Sequence, residues 1–236
     1  MNVYWSVLIL HDEVSPFITY EEPKTAAESL DSIDTSSLRP GENFKYCPAF
    51  RKQTSNTFKL AFPFDYHLQF EGQNIKTNMY DQRFFDAMIS IRSPEMRMLS
   101  LNLHYIFVAE DSLEMMTAPS YMSDNDFANK TMVVPGQFDI GKWVRPLDCA
   151  FMMKKDINEV NINRGDEYLT VKFLTDEKVN LKKFFVSPKM ANLIKQNVES
   201  KTYKKKMQPL QYYYGLYQRA KMHKVIMKEI KANLME

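Results

Sequence analysis

VVPGQFDIGKWVRPLDCAFMMKKDINEVNINRGDEYLTVKFLTDEKVNLKKFF, residues 133–185, decides how the chain reads. Two turn signals, Pro135-Gly136 and Arg164-Gly165-Asp166, separate apolar runs that are rich in Phe, Val and Tyr and too short for helices. Such runs, punctuated by Gly, Pro and Asp, are the pattern of antiparallel strands. Strands are predicted near Val133 and over 147–153, 159–162, 168–174 and 179–186, the spacing of a sandwich, jelly roll or barrel. Gly165 and Asp166 supply the positive φ and the side-chain hydrogen bond of a tight turn, so Arg-Gly-Asp reads as a turn and not as an adhesion tripeptide.

Upstream the same texture continues. Residues 98–108 form the clearest strand, with Leu99, Leu101, Leu103, Tyr105 and Phe107 on one face and Ser100, Asn102 and His104 on the other. Its length predicts one central strand. TFKLAF and YHLQF flank Pro63, and in the second Tyr66, Leu68 and Phe70 alternate with His67 and Gln69. The opening MNVYWSVLIL reads as a strand and not a signal peptide, because it lacks a basic leader and runs straight into His11, Asp12 and Glu13. Residues 15–40 read as surface loop with a short helical hint at 25–33, 44–50 as an edge strand or bend around Pro48, 113–116 as a further strand, and 120–130 as a polar loop; 80–91 fits helix or strand.

Past Val186 the period changes from two to between three and four. Ser187-Pro188 caps a helix carrying Met190, Leu193, Ile194 and Val198 on one face. Pro209 starts a second, along which Tyr213, Leu216, Ala220, His223, Met227, Ile230 and Leu234 form a seam of three heptads, the signature of a partner helix or groove. Lys221, Lys224, Lys228 and Lys231 run beside it, with Arg219 at their head and Tyr212, Tyr213, Tyr214 and Tyr217 before them. Basic residues among aromatics suit nonspecific nucleic-acid binding, whereas the bland alternative packs the tyrosines and leaves the lysines solvated. From Leu181 onward 13 basic residues face only Glu199, Glu229 and Glu236, a balance of +10; the remainder carries 18 basic and 26 acidic residues, −8. A basic end on an acidic body is an argument about partners, not about fold.

The constellations that carry chemistry are missing. Gly is scarce at six, and no phosphate-cradling loop, G-x-S-x-G or H-E-x-x-H occurs. Cys47 and Cys149 are too few for a disulfide scaffold or a four-cysteine zinc site, and point to a reducing compartment. His67, His104 and His223 lack the H-x-D or H-x-E that opens an iron site in a jelly roll, and His11 is followed by Asp12; iron at His67 or His104 is the enzyme alternative. Asp124-Asn125-Asp126 begins like a calcium loop, but Asn129 and Pro135 stand where Gly and Glu belong. No run reaches the roughly 18 apolar residues of a membrane helix, and no cofactor or metal is predicted.

YCPAFRKQTSNTFKLAFPFDY (46–66), VPGQFDIGKWVRPLDCAF (134–151) and INRGDEYLTVKFLTDEKVNLKKF (162–184), followed by a lysine-rich helix, resemble a family of uncharacterised proteins of tailed, especially marine, bacteriophages. The resemblance covers most of the chain from about Phe44. It implies a phage origin, and so a place in the virion or the host cytoplasm, and carries no activity or site residue. Residues 161–171 are also similar in shape to the turn-strand element of β-clip proteins such as dUTPases, which supports β-structure alone.

The reading is therefore α+β, mainly β: an antiparallel jelly-roll or sandwich-like domain over 1–186 and a basic two-helix segment over 187–236. The expected function is non-enzymatic binding of another macromolecule through that segment. The partner is another protein, including other phage proteins or its own copies, or nucleic acid; no membrane is involved. The enzyme alternative places a metal or small-molecule pocket in the β-domain. On this reading, deleting 209–236 abolishes binding and leaves the β-domain folded.

Overall fold

The computed structural model describes residues 1–8, 20–31, 33–39, 41–72, 74–77, 82–199 and 210–235. β1 (Asn2–Val7) opens it, followed by β2 (Lys24–Thr25) and α1 (Ala26–Asp31). The start of α1 is fixed by a capping box: Thr25 Oγ1 accepts from the Glu28 N–H at 3.2 Å, and Glu28 Oε2 accepts from the Thr25 N–H at 3.0 Å. A 3-10 turn at Phe44–Tyr46 and α2 (Pro48–Thr54) come next. Here the expected edge strand is a helix, because Pro48 takes the first helical position, where its missing N–H has no intrahelical partner to lose.

β3 (Thr57–Ala61), β4 (Tyr66–Glu71) and β5 (Asn74–Lys76) follow, and α3 (Gln82–Met88) runs directly into β6 (Ile89–Ser93), so the ambiguous stretch is helix and then strand. β7 (Met98–Asn102), β8 (Tyr105–Ala109), β9 (Glu114–Pro119), α4 (Asp126–Lys130), β10 (Thr131–Val133), β11 (Gly136–Asp139), β12 (Asp148–Met153), β13 (Glu159–Ile162), β14 (Glu167–Phe173) and β15 (Asn180–Lys183) complete the body. α5 (Pro188–Glu199), α6 (Leu210–Arg219) and α7 (Met222–Ala232) end the chain.

The fold is α+β and mainly β, an antiparallel, sandwich-like body with a C-terminal helical segment. Among the described residues its strands form four sheets, in the orders β15-β1-β8, β10-β12-β7-β6, β11-β9-β14-β3-β2 and β13-β4-β5. The pairing of β1 with β15 is parallel. All four sheets bury side chains in one core, among them Trp5, Phe58, Leu68, Leu99, Phe107, Phe151, Val160 and Phe173. A run of aromatic contacts crosses it: Phe62 lies 4.2 Å from Tyr168 and 5.1 Å from Phe127, which lies 5.1 Å from Phe151. The alternation read in β4 holds, with Tyr66, Leu68 and Phe70 buried and Gln69 exposed. The Arg-Gly-Asp turn also holds: Gly165 has φ 86° and Asp166 Oδ2 accepts from the Asn163 N–H at 3.1 Å. It joins β13 to β14, which lie in different sheets.

Three further expectations are corrected. The single strand over 98–108 is two, because His104 takes a left-handed conformation (φ 59°) that turns the chain out of the sheet of β7 and into that of β1. The alternation survives the turn: Tyr105, Phe107 and Ala109 enter the main core while Ile106 and Val108 enter a second one. The polar loop at 120–130 holds α4, capped by Asn125 Oδ1 accepting from the Ala128 N–H at 2.8 Å; Asp126 Oδ2 accepts from the Asn161 N–H at 2.7 Å, so this acidic run ties chain to chain. Among the described residues the C-terminal segment has three helices, not two. Pro209 lies outside the described residues, as does His11. Among the described residues no helix is long and apolar enough to cross a membrane.

Candidate functional site

The second core is where the basic end meets the body. Tyr4 and Leu8 from the β1 segment and Ile106 and Val108 from β8 give the sheet an apolar outer face. Met190 and Ile194 of α5, Tyr217 of α6 and Ile226, Met227 and Ile230 of α7 cover it. Trp143, 1% exposed in the loop between β11 and β12, seats α6: its ring meets Tyr214 edge-on at 4.3 Å and stacks with Tyr217 at 6.2 Å. Burial pushes the Tyr217 phenol pKa up, an effect partly offset by the Val144 main chain.

Polar ties hold α7 in place. Glu110, one residue past β8, accepts His223 Nε2–H on its carbonyl at 3.0 Å and Lys231 Nζ on its carboxylate at 2.6 Å. The hydrogen bond to Glu110 raises the Lys231 pKa. Lys189 of α5 pairs with Glu229 of α7. The chain end then seals the edge of β15: the Phe185 N–H donates to Asn233 O at 2.8 Å and the Met235 N–H to Lys183 O at 3.0 Å.

The seven-residue seam is not one face. The helix breaks at Ala220 and Lys221, where Lys221 has φ 53°, so Leu216 belongs to a different rod from Met227 and Ala220 lies in the turn between them. Met227 and Ile230 are 5% and 0% exposed, inside the chain's own core. Leu216 and His223 are half-buried, Ala220 is exposed, and Leu234, 45% exposed, bridges to Phe184. The Tyr213 side chain lies outside the described set. Periodicity counts apolar positions; it does not register whether one straight rod carries them, nor that a sheet supplies the partner surface.

The charged stripe divides too. Lys231 is committed to Glu110, whereas Arg219, Lys221, Lys224 and Lys228 are exposed, and among the described residues none of these four has an ion-pair partner. Lys221, Lys224 and Lys228, at spacings of three and four, share the side of α7 away from Ile226, Met227 and Ile230.

Two of the histidines have structural partners. His67 Nε2 lies 3.6 Å from Glu159 Oε2, and His104, 4% exposed, has Nδ1 2.8 Å from the Tyr20 hydroxyl. No group of three or more His, Cys, Asp and Glu able to hold a metal occurs among the described residues. Cys47 is exposed and Cys149 buried, both as free thiols; desolvation pushes the Cys149 pKa up.

Ser120, Ser123, Glu167 and Lys59 form a constellation that no sequence spacing announces. Ser120 Oγ lies 2.8 Å from Ser123 Oγ, which donates to Glu167 Oε2 at 3.0 Å, and Lys59 Nζ donates to the same oxygen at 2.6 Å. Lys59, 3% exposed, directs its ammonium at Glu167, and the four side chains tie β3, β14 and the segment after β9 together. A cleft of about 400 Å³ beside β1 and β15 is lined by Trp5, Tyr20, Phe184 and Lys183, whose ammonium sits 5.1 Å over the Trp5 ring. It has room for a small molecule, but among the described residues no nucleophile paired with a base lines it.

No protein-family model matches the chain, and no curated protein matches it significantly.

Proposed function

We propose that the chain is a non-enzymatic binding protein of a tailed phage, a virion component or an accessory factor in the host cytoplasm, whose C-terminal helices hold the backbone of a nucleic acid. The observation that carries this is the set Arg219, Lys221, Lys224 and Lys228: four exposed cations, unpaired among the described residues, on helices anchored to the sheet. The apolar residues that would insert into a groove on a protein, Met227 and Ile230, already serve the internal core. What remains outward along α7 is charge with Val225, and lysine is depleted at the centres of protein–protein interfaces. A cation stripe without an apolar centre suits phosphates, where affinity comes from counterion release.

The test is retention of single- and double-stranded DNA and RNA across a salt series. Four contacts on duplex DNA give a slope of log K against log salt of about −3 to −4, and Lys224→Gln with Lys228→Gln flattens it by about 2. Absence of binding to every nucleic acid at about 50 mM salt, or a slope unchanged in the double variant, overturns the reading. Salt-sensitive capture of a defined acidic phage protein by the same four residues, without nucleic-acid binding, assigns the stripe to a protein partner instead.

A further inference from the structure

The outer face of the sheet β10-β12-β7-β6 carries a row of methionines. Met132 of β10 stands opposite Met152 of β12, and Met152 stands opposite Met98 of β7, on the side away from Cys149, Phe151, Leu99 and Leu101, which enter the core. Residues facing one another across antiparallel strands have Cβ atoms about 4.5–5.5 Å apart. Three thioethers on flexible side chains are thereby brought over one patch with Met152 in the middle. Met132 is 46% exposed and Met98 and Met152 are partly buried; Met96, in the turn before β7, is 58% exposed.

A face turned away from the core normally carries polar residues. The next rows do so in part, with Ala150 beside Ser100 and Ser90 and then Asp148 opposite Asn102, and the Arg92 guanidinium lies 3.4 Å from the buried Ser100 hydroxyl. The row of sulfurs sets three thioethers side by side, with Ser93 opposite Met98 at its end. The nearest charges on its far side are engaged, Lys130 with Asp126 at 3.0 Å and Lys154 with Asn129 O at 2.6 Å. Glu95 meets the Ser93 hydroxyl at the end of the row, but the three side chains along it are thioethers, which select soft ions.

We propose that Met98, Met132 and Met152 form a binding site for a soft monovalent cation, Cu(I) in its biological form. Neutral sulfurs carry no proton to displace, so binding does not change between pH 5 and 8, unlike binding at cysteine or histidine. The site is independent of the cationic helices.

Ag(I), a soft ion of the same charge without redox chemistry in water, is the probe. It is titrated into the full chain in chloride-free buffer, with Cys47→Ser in every sample because that exposed thiol takes the same ion. Methionine methyl groups labelled with carbon-13 report the ligands. The expected result is about one equivalent bound, with shifts at Met98, Met132 and Met152 that are the same at pH 5 and pH 8, and loss of that equivalent in Met152→Leu. Leucine keeps the apolar volume of methionine, so the variant stays folded, which thermal melting checks. Unshifted signals from these three methionines, or a Met152→Leu protein that binds as the parent does, overturn the proposal.

Discussion

Asp139 shows how single side chains build the platform under the helices. Its carboxylate accepts from Lys142 at 2.7 Å, from Ser112 Oγ, and from the N–H groups of Leu113 at 3.1 Å and Gly141 at 2.9 Å. Gly141 follows because a Cβ there would stand 2.0 Å from the Asp111 carbonyl oxygen. Two residues later the chain delivers Trp143 to Tyr214 and Tyr217. Burial raises the Asp139 pKa, but the four donors together outweigh it and leave the group below its usual 3.8. A lowered folded-state pKa means stability that is present above 3.8 and lost as pH falls through the lower folded value. Asp139→Asn is therefore expected to lower stability at pH 7 and to flatten the acid limb below about pH 4, measured by urea melts from pH 2 to 7. Ile230, 0% exposed, is the corresponding apolar case: Ile230→Ala costs roughly 2–5 kcal/mol by the same melts, because the rigid sheet beneath it cannot collapse into the cavity.

Among elements, the joint between α6 and α7 separates stability from binding. Lys221 holds a left-handed conformation that costs a non-glycine residue about 1–2 kcal/mol. Lys221→Gly is expected to leave the melting temperature unchanged or raise it while reducing the salt slope of nucleic-acid retention by about 0.9. A destabilised variant would mean that the side chain, and not the backbone, makes the turn. The joint between β7 and β8 is similar. Leu99 to Phe107 was legible as an alternating pattern, and those side chains do line one core. The switch between sheets was not, because His104 reaches positive φ only where the Leu103 N–H bonds Leu147 O at 3.1 Å and the Leu147 N–H bonds Tyr105 O at 2.7 Å. Both partners come from a segment about forty positions away in the sequence, which no local window contains.

For the molecule as a whole, the two cores share β1 and β8, and the main and helical parts meet through them. Removing 209–236 strips Tyr217, Ile226, Met227 and Ile230 from the sheet, and at about 1.5–3 kcal/mol each this amounts to about 6–12 kcal/mol. Net domain stability is about 5–15 kcal/mol, so the truncated chain is expected to aggregate or unfold rather than persist as a free β-body. Calorimetry of the full chain then gives one transition; two separated transitions would restore an independent helical segment. The amino-acid order by itself determined the strand-rich class, the turn at Gly165, the alternating faces of β4 and β8 and the concentration of positive charge after Leu181, because all of these follow from neighbours within a few residues. Only the tertiary structure decided which lysines remain unpaired, that Met227 and Ile230 face inward, and that Met98, Met132 and Met152 stand in one row. Those outcomes depend on contacts between distant segments, and free energy gained by burying a surface belongs to both segments at once and can be read from neither alone.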